Sequence, residues 1–366
     1  MTPLIGVESM IAVVLGTRPE IIKMSPIIRL LRERQEDFFV IHSGQHYSYD
    51  MDKIFFEELE LPVPEFHLDV GSGSHGEQTA KILTGTERIL IQEKPDTVLV
   101  QGDTNTVLAG ALAAAKLHID VGHVEAGLRS HDRRMPEEIN RILTDHISRY
   151  LFVPTHESRN NIVLDGISTD KIYITGNTIV DSVQQNLRIA ENNREILDKH
   201  GLKPRKYFLV TAHRQENVDD KLRLRNILKA LEMLHEEYSM PVIFPVHPRT
   251  KKRIQEYQLE MPPDITTLPP TGFLEFLVLE ANARLVLTDS GGVQEETCIL
   301  KVPCITLREN TERPETIKVG SNILTGLTPK EIMQTAKTML EREANWENPF
   351  GDGRAAQKII DGIRNG

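Results

Sequence analysis

The stretch HVEAGLRSHDRRMPEEINR, His123 to Arg141, sets Glu125, Asp132, Glu137 and Glu138 among Arg129, Arg133, Arg134 and Arg141. It leaves an apolar run and leads into a helix. Acids beside cations at such a place could move a proton on a weakly acidic C–H while a partly expelled oxygen is steadied. Asp103, in QGDTNT, and Glu125 end two neighbouring apolar runs. Carboxylates at buried strand ends are unfavourable unless paired or used. One of them could be a base and the other an acid. Plainer readings stand beside these. Asp103 can cap the helix beginning near Thr104. Glu137 and Arg141, four apart on one helix face, can be an ordinary pair of about 0.2–0.5 kcal/mol. His213, in TAHRQEN, is either a satisfied strand-end histidine or a cation facing phosphate.

A second group of residues suits an anion. In DSGGVQEE (289–296), Ser290, Gly291 and Gly292 lead into a helix. Free N–H groups and the positive end of the helix dipole would face a phosphate there, and the glycines let backbone approach closely. A simple N-cap is the alternative. GTRPEIIK places Arg18 ahead of Pro19, which suits a first helical turn, with Lys23 about one turn in. Arg grips a diphosphate as a planar fork and Lys as a point charge, although both types are usually plain surface residues. No G-x-G-x-x-G follows the first strand and no G-x-x-x-x-G-K-[ST] occurs, which argues against a bound dinucleotide and a P-loop. The 13 histidines show no H-E-x-x-H or Cys/His spacing, so no metal and no cofactor are expected. A G-x-S-x-G elbow is absent as well.

The elements that position these residues alternate along the whole chain. Short β-branched runs at 10–16, 38–44, 96–103, 150–154 and 171–177 are separated by helical segments, and DVGHVEAG (120–127) reads as a further strand. After a long polar helix from about Thr178 to His200 the rhythm restarts at 207–213, 241–247, 285–292 and 302–309. Near-continuous apolar strands between helices predict parallel sheets covered on both faces. Two doubly wound α/β domains follow, with a cleft between them: 1–177 plus 350–366, and 178–349. The final GRAAQKIIDGIRNG reads as a helix returning to the first domain. All the polar clusters fall at strand C-terminal ends, where open α/β sheets bind ligands.

The 366 residues, 39% hydrophobic and 26% charged, fit a globular protein of two domains. A net charge of −10 argues against nucleic acid as a partner. No apolar run has spanning length, and the N-terminus lacks the features of a signal peptide. Cys298 and Cys304 read as buried reduced thiols. A cytoplasmic enzyme or binding protein with no membrane partner is the expectation.

Taken as a set and in this order, GTRPEIIK, QGDTNTVLAGALAA, HVEAGLRS, PEEINR, TAHRQEN, HPR, DSGGVQEE and TERPE resemble the non-hydrolysing UDP-N-acetylglucosamine 2-epimerases, from about residue 11 to residue 365. The resemblance implies a glycosyltransferase-B-like pair of Rossmann-like domains and a homodimer. It also implies reversible conversion of UDP-GlcNAc to UDP-ManNAc through a bound 2-acetamidoglucal, for polysaccharide or glycan synthesis. By the same resemblance Asp103, Glu125 and Glu137 are acid/base candidates, Arg141 orients or pairs with Glu137, and His213 contacts the leaving phosphate. Arg18, Lys23, Ser290, Gly291 and Gly292 would hold the diphosphate, and Glu296 the ribose hydroxyls. Arg313 is a further nucleotide contact, and Phe276 would pack on uracil with Thr271 nearby.

Two departures from the bacterial pattern are visible. The loop between Arg129 and Glu137 is shorter and lacks a tryptophan, and YSYD follows Gly44 to His46. In bacterial relatives that neighbourhood helps form a second, activating UDP-GlcNAc site. Gln45 and His46 remain as candidate allosteric residues. A UDP-2,3-diacetamido sugar uronate as substrate, and a glycosyltransferase of the same fold, are the alternative readings.

Overall fold

The computed structural model describes residues 9–45, 49–191 and 195–366. Thirteen strands are found among them. In the first half these are β1 Ile11–Leu15, β2 Phe38–His42, β3 Phe66–His67, β4 Thr97–Gln101, β5 Asp120–Val124, β6 Tyr150–Val153 and β7 Ile172–Ile174. They form one sheet in the order β3-β2-β1-β4-β5-β6-β7. The second half contributes β8 Phe208–Thr211, β9 Val242–Pro245, β10 Ile265–Leu268, β11 Leu285–Thr288, β12 Cys304–Thr306 and β13 Asn322–Leu324, ordered β10-β9-β8-β11-β12-β13. All the described pairings are parallel; Val13, for example, lies between Val40 and Leu99.

Burial explains the residue choice. β1, IAVVL, and β4, TVLVQ, are buried along their whole length, as a strand covered by helices on both faces must be. The strands β3, β10 and β13 were not foreseen from the sequence. All three lie at sheet edges and are two to four residues long. In β10 the two central threonines are exposed, so no apolar run marks it.

Clustering of contacts divides the chain into two compact units. The described residues up to Ser182 join Phe350–Gly366 in one, and those of Val183–Pro349 form the other. The division falls inside the helix Thr178–Glu191, not ahead of it at 177, so this helix begins in one unit and ends in the other. Of the expected long helix to His200, the described residues are helical over Thr178–Glu191 and Glu195–Lys199. Nor is the first of them polar all round, since Ile179, Val180, Val183 and Ala190 are buried. The C-terminal helix Ala355–Asn365 belongs to the first unit for a chemical reason. The buried Asp181 carboxylate accepts the first-turn N–H groups of Ala355 and Ala356, at 3.2 and 3.0 Å, and Arg34 pairs with Asp361 at 2.9 Å. Cys298 and Cys304 are buried free thiols. No described helix is long and apolar enough to cross a membrane.

In each sheet the strand order reverses once near its middle, between β1 and β4 and between β8 and β11. Loops leaving neighbouring strands at such a point diverge and open a crevice at their C-terminal ends. GTRPE and QGDTNT leave the first pair, TAHRQEN and DSGG the second.

Candidate active site

In the first unit the loop after β1 is held by the side chain of a residue in the helix it enters. Glu20, in Arg18–Glu33, folds back so that Gly16 N and Thr17 N donate to Oε2, at 2.5 and 3.1 Å. Thr104 Oγ1 donates to the other oxygen at 2.5 Å. One carboxyl thereby ties the β1 loop to the loop after β4. Burial pushes its pKa up to about 7 against these hydrogen bonds, with nearby Asp103 adding to the rise. Gly16 lies so close to its neighbours that a Cβ would stand 2.0 Å from Ser43 Oγ. Sequence reading passed over Glu20; its only signal was a capping-box position after Thr17.

Beside this loop, Glu125 follows β5 with φ +69°, a left-handed conformation uncommon for residues other than glycine. Its buried carboxylate receives Lys23 Nζ at 2.6 Å and Asn177 Nδ2 at 3.0 Å on Oε1, and Gln101 Nε2 on Oε2. Lys23, expected on a diphosphate, is therefore ion-paired to a candidate acid.

Asp103 does not cap the following helix. Thr104 does, accepting from Val107 N at 3.4 Å, which leaves the Asp103 side chain one-third exposed and bonded to Arg141. The expected Glu137–Arg141 pair is corrected: Arg141 Nη1 binds Glu138 Oε2 at 2.6 Å. Glu138 faces inward, where Ser130 N and His131 N also reach it, at 2.9 and 3.0 Å, while Glu137 is exposed. Burial raises the pKa of Glu138, but Ser130, His131 and Arg141 outweigh it and hold the carboxyl below its usual range. Burial likewise opposes the Arg141 charge, and Asp103 and Glu138 overcome it. Three versus four residues of spacing could not be told apart in PEEINR.

Asp103 and Glu137 line one cavity of about 360 Å³, together with Gln45, His75, Asn105 and Asn140. Behind it runs a chain of neutral amides: Asn140 Nδ2 donates to the Asp103 carbonyl at 2.9 Å, and Asn105 Nδ2 to Gln78 at 3.0 Å. Gln45, a candidate for a separate allosteric site, lines this same cavity and accepts from Thr106 at 2.7 Å. His46 lies outside the described residues. Arg18 is partly buried over the Phe55 ring, 5.5 Å from its centre.

The second unit carries a separate constellation. Asp289, fully buried after β11, accepts His213 N, Arg214 N and Asn217 Nδ2 at 2.9, 3.0 and 3.1 Å. Its oxygen also lies 3.1 Å from the half-exposed His213 ring. Burial opposes the charge of Asp289, and His213, Arg214 and Asn217 prevail, holding it below the usual range. Asp289 thus fixes the ring that sequence reading aimed at phosphate.

Ser290 heads the helix Gly291–Ile299 and makes no side-chain cap bond. Gly291 and Gly292 both have ordinary negative φ, and a Cβ on either would meet nothing nearer than 3.9 Å. The fold itself does not demand glycine here. Glu296 is nearly buried one turn further in. The Arg313 guanidinium lies 2.6 Å from Glu295, so in this structure it is turned to that carboxylate. Phe276 packs partly against the apolar cluster of Leu202, Tyr207 and Leu279, and Thr271 is half-buried just ahead of the helix Phe273–Ala281. Among the described residues no group of three or more His, Cys, Asp or Glu could hold a metal ion.

The family model for UDP-N-acetylglucosamine 2-epimerase matches residues 29–364. The chain belongs to that family. A UDP-N-acetylglucosamine 2-epimerase of Methanocaldococcus jannaschii is 57% identical over 96% of this chain and 97% of its own length. The crystal structure of the Methanocaldococcus jannaschii UDP-GlcNAc 2-epimerase in complex with UDP-GlcNAc and UDP superposes with a TM-score of 0.87 at 56% identity, covering 98% of this chain and 100% of that one. A UDP-2,3-diacetamido-2,3-dideoxy-D-glucuronate 2-epimerase of Pseudomonas aeruginosa is 39% identical over 96% of this chain and 98% of its own. The two-unit α/β architecture is that of the epimerase structures.

Proposed function

We propose that this epimerase-family chain interconverts UDP-GlcNAc and UDP-ManNAc by removing UDP and adding it back. A carboxylate takes the C2 proton as the C1–O bond breaks. The C–H electron pair becomes the C1=C2 double bond of the glycal, and the C1–O pair leaves on the diphosphate. Re-addition reverses these steps, with the proton delivered to the opposite face. The observation that carries the reading is one cavity lined by Asp103 and Glu137, with Arg141 bonded to Asp103. A transferase has no need of two carboxylates beside one sugar carbon.

In this reading Asp103 and Glu137 transfer protons, and Arg141 holds Asp103 in place while Glu138 holds Arg141. Glu125 is the third candidate and shares Lys23 with the diphosphate, which would draw the ammonium group across when bound. Arg18 adds a planar fork to the leaving group. Ser290, Gly291, Gly292 and the His213 ring receive the phosphates; the tolerance of the fold for a Cβ at both glycines supports this, because close approach of a ligand then explains their choice. Glu296 takes the ribose hydroxyls, Arg313 makes a further nucleotide contact, and Phe276 with Thr271 lies against uracil. We further take the active form to be a homodimer, a point for sedimentation analysis.

Incubation with UDP-GlcNAc in heavy water, without acceptor or added cofactor, tests the reaction. Deuterium at C2 of newly formed UDP-ManNAc is expected, whereas absence of exchange would remove the proposal. Accumulation of free sugar would identify a hydrolysing enzyme instead. The Pseudomonas aeruginosa relative supports a second reading, a UDP-2,3-diacetamido uronate substrate, separable by comparing kcat/KM for the two sugars.

A further inference from the structure

Glu280, in the last turn of the helix Phe273–Ala281, has no exposed surface, and neither of its carboxyl oxygens meets a hydrogen-bond donor. The group facing it is another carboxyl, that of Glu296 on the next helix. Two acceptor-only carboxylates cannot satisfy each other, whereas one proton shared between them makes a strong O–H to O⁻ bond. Two further neighbours, Tyr207 and Cys304, bring no charge to the pair. Tyr207, just before β8, uses its O–H on the Leu279 carbonyl, and burial pushes the phenol up. The Cys304 thiol of β12 is pushed up to about 12 by burial, so it stays neutral near pH 7 and adds no competing charge. Burial, then the adjacent Glu296, drive the Glu280 carboxyl well above its ordinary range.

We propose that Glu280 is a positioning residue for the nucleotide, donating its O–H to Glu296 and fixing the rotamer in which Glu296 receives the ribose hydroxyls. The proposal rests on the ribose role given to Glu296 above. Glu280 stands one helical turn beyond Phe276, so a single helix would serve both the base and, through Glu296, the ribose. A charge-assisted hydrogen bond lost from this pair lowers ribose-dependent affinity on the order of tenfold.

The test uses the full chain and calorimetric titration with UDP and with 2′,3′-dideoxy-UDP. Glu280→Leu should weaken UDP about tenfold and leave the dideoxy nucleotide nearly unchanged. Glu280→Gln, whose N–H₂ group can donate to Glu296, should bind UDP within about twofold of the parent. Equal loss of both nucleotides in Glu280→Leu, or no loss of either, overturns the proposal. Failure of the glutamine variant to retain UDP affinity while folded overturns it as well, and that variant carries the test if the leucine variant does not fold. Glu296→Gln separates the two layers. If it keeps the parent's preference for UDP over the dideoxy form, the ribose role fails, and this inference with it. If the preference is lost but Glu280→Leu behaves as the parent, only the inference fails.

Discussion

Replacing Lys23 by methionine removes one charge from a buried pair and leaves the other where it is. The Lys23 and Glu125 side chains are 11% and 5% exposed, and their charged atoms are 2.6 Å apart. Removing one partner of a buried pair typically costs about 3–5 kcal/mol, because a charge is stranded away from water. Gln101 and Asn177 still donate to Glu125, which places the expected loss at the lower end, about 3 kcal/mol. At roughly 2–4 °C per kcal/mol for a domain of 150–250 residues, the melting midpoint falls by about 6–12 °C. Differential scanning calorimetry without nucleotide measures this. Adding Glu125→Gln removes the stranded charge, so the double variant should be more stable than Lys23→Met alone. A loss under about 1 kcal/mol, or strictly additive effects of the two changes, would refute the argument that this pair is a buried, coupled ion pair.

Asp103→Asn keeps an acceptor for Arg141 but removes the titratable oxygen; C2 exchange in heavy water should fall at least about 100-fold while UDP affinity changes little. Gly291→Ala meets no clash and gains helix propensity, so its midpoint should hold or rise; UDP affinity should fall, since the methyl group occupies the phosphate approach. Equal or better UDP binding in that variant would move the diphosphate elsewhere. Arg18→Ala should lower kcat by about 100-fold or more, the usual effect of losing one preorganised donor to developing charge. Glu20 has its folded pKa raised, to about 7, above the ordinary 4.5. Its protonated form therefore stabilises the fold fully below pH 4.5, and that contribution is lost as pH rises towards 7 and beyond. Glu20→Gln mimics the protonated acid, so its stability between pH 5 and 8 should decline by up to about 3 kcal/mol less than that of the parent, read from urea midpoints.

Much of this protein was legible along the chain because its signals are local. The buried strands announce themselves as apolar runs such as IAVVL and TVLVQ, and turn residues and polar clusters mark their C-terminal ends. The edge strands β3, β10 and β13 were missed, although β7 at another edge was read, because one side of each has no partner strand and no apolar run is enforced, as the exposed threonines of β10 illustrate. Asp103 and Glu137, grouped by the family resemblance, line one cavity, whereas the pairing of Arg141 was also read from residue spacing. That spacing could not choose between Glu137 and Glu138 as the partner of Arg141, since i,i+3 and i,i+4 positions both face a given helical residue.

The sequence by itself determined the class of fold, the alternation of buried strands with helices and the family, because periodicity and motif order are properties of a string. Only the tertiary structure decided which charges meet. Lys23 reaches Glu125 across 102 positions, Glu20 joins Thr104 across 84, and Asp181 caps a helix that begins 174 positions later. The acid–acid contact of Glu280 with Glu296 belongs with these. Such pairings depend on which helices a sheet brings side by side and on how much water is left between them. Burial drives the Glu20, Asp181 and Glu280 carboxyls above their ordinary range.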